Sequence, residues 1–277
     1  MKLKETKTFK AICLSVAFSL LLNMPFPVSS FAQSLELSPV NQFVNLSLDY
    51  SFPVLKGLRF DPHNPLRMEF IIDTADKKDI SEEEASILIR YFLAGLTVAE
   101  EDIWVNLSPY EQDKIITKDL GQTDLGKDLL SQDYLLKQLL ASLTYPENST
   151  GKDYWDKTYR KVFKIARTTN LPINTFNKIW IVPGEAEVYE NGTSALITKA
   201  TLKTMLEQDY LALKSNTAQI KKEKKAMNDG LIQDINQASS QVMKDVVLPK
   251  INKDVNQGKN FATLRQIYHS LILGIWF

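Results

Sequence analysis

The chain has 277 residues, 33 basic and 33 acidic side chains, 44% hydrophobic residues and one cysteine. Zero formal charge excludes a protein that holds nucleic acid or another polyanion through its overall field. The composition is that of a globular protein, neither collagen-like nor of low complexity, and the length allows one or two domains with a core of useful size.

Residues 1–32 have the order of a secretory signal. Lys2, Lys4, Lys7 and Lys10 precede the apolar run Ala11–Leu22, and Ser30 and Ala32 flank Phe31. This order is what export and signal peptidase need. The apolar run makes about 18 Å of helix against a hydrocarbon core of ~30 Å, so we read a cleaved leader rather than an anchor. The only cysteine, Cys13, lies in this leader, which carries four lysines and one acid, Glu5. The mature chain is then mildly acidic and cysteine-free, which excludes disulfides, thiolate nucleophiles and cysteine-ligated zinc or iron–sulfur sites. Export without disulfides points to a bacterial periplasmic or secreted protein. Membrane contact is expected only through the leader.

Residues 33–53 read as irregular, with a short strand at most around 43–48. Leu55–Phe60 and Leu66–Asp73 read as strands around the turn Asp61-Pro62-His63-Asn64-Pro65, with Met68, Phe70 and Ile72 on one face. Ser81-Glu82-Glu83-Glu84 is a capping box. The stripe Ala85, Leu88, Ile89, Phe92, Leu93, Leu96 predicts a helix over 82–97. Ile103–Leu107 is a short strand, followed by a long loop over 108–122. Thr123 or Asp124 caps a helix over 124–143, Pro146–Gly151 is a break, and a third helix covers 152–167. Ile179–Val182 is a strand stopped by Pro183. Asn191-Gly192 between alternating runs predicts a type I′ hairpin in which Val188 faces Ala195 and Ala186 faces Ile197. A helix follows over 200–213.

Residues 216–277 read as almost all helix. Leu231, Ile235, Ala238, Val242 and Val246 form a stripe, Pro249 restarts the helix, Gly258 ends it, and Phe261, Leu264, Ile267, Leu271 and Ile275 begin another. The chain stops at Trp276-Phe277 inside an apolar pattern, so we expect a truncation or a longer parent protein. The expected fold class is α+β, a small antiparallel sheet packed with several helices. The expected organisation is a leader over 1–32, a globular domain over 33–213 and a helical segment over 214–277 packing on it.

The chemistry-bearing residues are sparse. His63 and His269 stand about 200 residues apart, without the close spacing of a histidine metal site. His63 reads as a solvated turn residue and His269 as a core-edge residue. No nucleophile elbow or phosphate-cradling glycine loop is present. Glu100-Glu101-Asp102 and the pair Asp124/Asp128 offer carboxylates but lack the spacing of a calcium loop. Lys221-Lys222-Glu223-Lys224-Lys225 is the only basic run and reads as a solvated helix face. No cofactor, metal or nucleic-acid partner is expected.

At Trp104-Val-Asn-Leu-Ser-Pro-Tyr-Glu111, Gly121–Gln138, Ile179-Trp-Ile-Val-Pro183 and Leu264–Leu273 the chain resembles a family of exported bacterial proteins from the Omnitrophota and related phyla. The resemblance spans about residues 55–277. It implies export and, because the family has no assigned activity, no catalytic residue carries over.

Three readings follow. The first is a non-enzymatic binding or assembly module of the envelope or secreted fraction, with Trp104, Asn106, Tyr110, Gln122 and Asp124 as contact residues if they share an exposed concave surface. The second is a hydrolase of envelope polymer, which requires two acids about 5–10 Å apart in a cleft, one with a raised pKa. The third is a helical interaction subunit, which requires the stripe Leu264, Ile267, Leu271, Ile275 to be exposed.

Overall fold

The computed structural model describes residues 43–97, 105–106, 116–167, 178–217 and 230–277, all within one compact unit. The expected leader over 1–32 lies outside them, as do Trp104, Tyr110, the acids 100–102 and the basic run 221–225. The fold is α+β. Four strands, β1 (Val54–Asp61), β2 (Asn64–Asp73), β3 (Ile179–Glu190) and β4 (Ser194–Leu206), form an antiparallel sheet in the order β2-β1-β4-β3. The helices are α1 (Glu82–Gly95), α2 (Lys118–Gln122), α3 (Asp124–Thr144), α4 (Ser149–Ala166), α5 (Glu207–Thr217), α6 (Gly230–Val246), α7 (Leu248–Gln257) and α8 (Ala262–Trp276).

Local signals placed most starts and stops. Ser81 and Glu84 exchange both bonds of the capping box at α1, Thr123 caps α3, and Pro249 sits in the first turn of α7 with Gly258 at its end. Four expectations are corrected. The break after Pro146 is shorter, because Asn148 caps α4 and the helix includes Gly151. A Cβ on Gly151 would stand 1.8 Å from the Tyr145 carbonyl oxygen, so a glycine lets α4 begin directly against the end of α3. The end of the expected loop over 108–122 is helical, as α2. Pro183 does not stop β3. It sits at a register shift between Pro183 and Ala186, where the ladder tolerates a residue without an N–H. Residues 200–206 are strand rather than helix, because the apolar run 179–183 pairs with 202–206 across the sheet.

The hairpin turn also moves by one residue. Asn191 and Ser194 exchange both backbone bonds, at 2.9 and 3.3 Å, and Gly192, with φ +58°, is the loop residue that supplies the positive φ. Val188 therefore pairs with Ile197 rather than Ala195. The shift of two residues keeps parity, so Val188, Ala195 and Ile197 still face inward. Ala186, beyond a second register shift, is exposed.

One face of the sheet carries the main core. Leu55, Leu58, Ile181, Ile197 and Leu206 meet Leu88 and Phe92 of α1, Leu129 and Leu139 of α3, and Ile251 and Val255 of α7. Leu264, Ile267, Leu271 and Leu273 of α8 are buried among them. The C-terminal helices thus share the core of the preceding residues. On the opposite face a smaller cluster forms where Tyr210 of α5 stacks on Trp180, with ring centroids 4.1 Å apart, beside Val182 and Met205.

The segment 43–53 is irregular but anchored. Val44 donates to Ser142 Oγ at 2.9 Å, Tyr50 donates to the Gln257 carbonyl at 2.8 Å, and the Ser47 backbone and hydroxyl both reach the buried Asp254 carboxylate. Asn260 Nδ2 donates to the other Asp254 oxygen at 2.7 Å. Arg265 donates to the carbonyls of Val255 and Gly258, each at 2.6 Å, and so satisfies the open end of α7. Its guanidinium lies 4.5 Å from the centre of the Phe52 ring, and burial lowers its pKa to about 10.

Candidate functional site

Gln122 and Asp124 come together at the junction of α2 and α3, both exposed. Asn106 does not join an exposed surface. It is 2% exposed, adopts φ 85°, and its Nδ2 has no hydrogen-bond partner. The reason is that Val105 bridges to Ile181 at the edge of β3, which carries the next residue inward.

The first two turns of α3 bring the acid pair against α1. Arg90 Nε lies 3.3 Å from Asp124 Oδ2, on side chains that are half exposed. One turn further on, the buried Tyr91 hydroxyl donates to Asp128 Oδ2. Burial holds the Asp128 carboxyl above the usual carboxylate range and the Asp124 charge adds to this, against the pull of the Tyr91 hydroxyl, Lys127 and Arg90. Burial, then the Asp128 charge, pushes the Tyr91 phenol upward as well. Tyr91 thus remains a neutral donor, and each acid has a protein partner of its own.

His63 is exposed in its turn, where its backbone N–H donates to Asp61 Oδ1 at 2.8 Å. His269 lies half-buried on α8 against β1. Its Nδ1 is buried without a partner, and burial pushes its pKa down to about 4. Among the described residues no three His, Asp or Glu side chains gather as metal ligands, and no helix is long and apolar enough to cross a membrane.

Elsewhere a groove of about 920 Å³ opens between the base of the β3–β4 hairpin, α5 and α7. Its architecture follows from an unpaired strand edge. β1 pairs with β4 only at Ser194–Leu196, which leaves the rest of that edge needing partners. Asn256 of α7 supplies them for Leu202, accepting from its N–H and donating to its carbonyl, both at 2.9 Å. Asn252, one turn earlier, accepts from the Thr204 N–H and hydroxyl at 3.2 and 3.1 Å. Two asparagines four apart on a helix thus act as a substitute strand and hold α7 along the sheet. Val182 and Met205 form the floor, Pro183, Pro249 and Leu213 the apolar rim, and Glu185, Lys203, Lys253 and Gln257 the polar one. Glu185 is closed by Lys199 at 2.7 Å. None of these residues was a sequence-level candidate. The Asn252/Asn256 spacing was the available signal, and it acquires meaning only once 200–206 is a strand.

No protein-family model, no curated protein and no solved structure matches the chain.

Proposed function

We propose that the chain is an exported, non-enzymatic binding or assembly module of the bacterial envelope or secreted fraction. The observation that carries this reading is the groove, a concave surface built on rigid strands and a helix. Among the described residues its lining holds one carboxylate, Glu185, and that one is ion-paired. Hydrolysis of a polymer by acid pairs needs two carboxylates across one cleft. Export is supported by the order of residues 1–32 and by the cysteine-free remainder.

The hydrolase reading keeps one observation in its favour, the raised pKa of Asp128 next to Asp124. Against it, the two acids lie on one helix and are held by Tyr91 and Arg90, and neither lines the groove. The helical-subunit reading loses its surface, because Leu264, Ile267 and Leu271 are buried and only Ile275 of that stripe is exposed.

Fractionation of a bacterium expressing the full chain tests the proposal, together with release of soluble fragments from purified envelope polymer. A protein starting near Gln33 outside the cytoplasm, with no fragment release, is the expected result. Retention of the leader in the cytoplasm, or fragment release abolished by Asp128→Asn, would overturn it.

A further inference from the structure

Resting on the reading of the chain as a binding module, we propose that the groove between β4, α5 and α7 takes an anionic amphiphile, a carboxylate or phosphate head on an apolar body. The imbalance of its polar groups points there. Apart from the exposed Gln257 amide, the side-chain acceptors are committed: Asn252 Oδ1 and Asn256 Oδ1 bind the β4 backbone, and Glu185 is held by Lys199. The cations are not. Lys203 has no ion pair among the described residues, and Lys253 faces Asp49 at 3.6 Å on side chains about two-thirds exposed, a pairing that water screens and a buried anion would displace. The lysines stand on different walls, one on β4 and one on α7, and the proposed head group sits between them.

The rest of the lining fits an apolar body. Val182 and Met205 floor the groove, and Pro183, Pro249 and the 56%-exposed Leu213 border it. The volume lies in the range of ordinary ligand sites. A peptide brings an N–H and a carbonyl at nearly every residue and requires a row of acceptors as well as donors, whereas Gln257 alone offers a free side-chain acceptor here and the charged groups left over are donors. A neutral sugar would be expected to find an aromatic platform, and among the described residues no aromatic side chain lines the groove.

Calorimetric titration of the protein purified after export, with sodium dodecanoate and with dodecyl phosphate, each below its aggregation concentration, tests this. Dodecyl maltoside and dodecyltrimethylammonium serve as neutral and cationic controls. Saturable binding of either anion, weakened about tenfold or more in Lys203→Gln/Lys253→Gln and in Leu213→Asp, is expected. The variants sit at exposed positions, and matched thermal unfolding establishes that they fold. No saturation with either anion, equal binding by the double lysine variant, or equal binding of the neutral detergent would overturn the proposal. Such a failure in a protein still exported and hydrolytically inert removes the ligand class alone, whereas a cytoplasmic or polymer-cleaving protein removes the binding-module reading itself.

Discussion

Protonating His269 should weaken the fold, by an amount the structure sets. The imidazole lies between α8 and β1, with Nδ1 buried and unpartnered. Burial lowers its pKa to about 4, helped by Lys56 and Arg265, and a hydrogen bond to the Leu55 backbone and the Asp73 charge resist. The unfolded chain takes up this proton near pH 6.5, the folded chain near 4. Stability contributed by the neutral ring is therefore complete above about pH 6.5 and drains away as pH falls from there towards 4. At pH 4.5 the loss approaches about 2.5 kcal/mol, reduced by whatever water reaches the ring. Urea unfolding at pH 7.0 and 4.5, for the native chain and for His269→Gln, isolates the effect, because every carboxylate titrates in both proteins. The native chain should lose about 1–2.5 kcal/mol more than the variant over that interval. Equal pH dependence in the two would refute the reasoning.

Asp128 has the opposite sign. Its raised pKa means that the folded state disfavours the charge, so its contribution is present below the ordinary carboxylate range and lost as pH rises through the folded value. Asp128→Asn, which still accepts from Tyr91, should match or exceed the native chain in thermal midpoint at pH 7. Asp128→Ala should fall by about 1–3 kcal/mol, because the Tyr91 hydroxyl is left unsatisfied; the reverse order of the two variants would contradict this. Gly258→Ala should cost about 1–3 kcal/mol, because its Cβ would stand 1.8 Å from Asp254 Oδ1 and 2.3 Å from Ser47 Oγ, although the φ of −80° suits any residue. Limited proteolysis should then cut within 43–52 before the rest of the chain, and an unchanged digestion pattern would argue against the Ser47–Asp254 anchor.

The α+β class, the capping box at Ser81, a cap at Thr123 or Asp124 and the α7 boundaries at Pro249 and Gly258 were all legible in the sequence, and the structure chooses Thr123. Each depends on residues within one or two turns of one another, and such chemistry is local. The apolar stripe of α8 was legible too, but not its meaning. Periodicity shows that a face is apolar, and only the tertiary structure says what covers it, here α1, the sheet and α3.

What the sequence by itself determined is the absence of cysteine beyond Cys13, the fold class and most helix ends. The tertiary structure decided the register and the sites. Residues 200–206 became strand because 179–183 needed a partner, which moved the hairpin turn and exposed an edge that Asn252 and Asn256 close. Asn106 was drawn inward by a single bridge at Val105, and Asp124 and Asp128 were claimed by Arg90 and Tyr91, more than thirty residues away in the chain. The groove exists only where β4, α5 and α7 meet, and no segment of sequence contains it. Local rules reach as far as a few residues of backbone, and a binding surface is made by side chains that only the packed chain brings together.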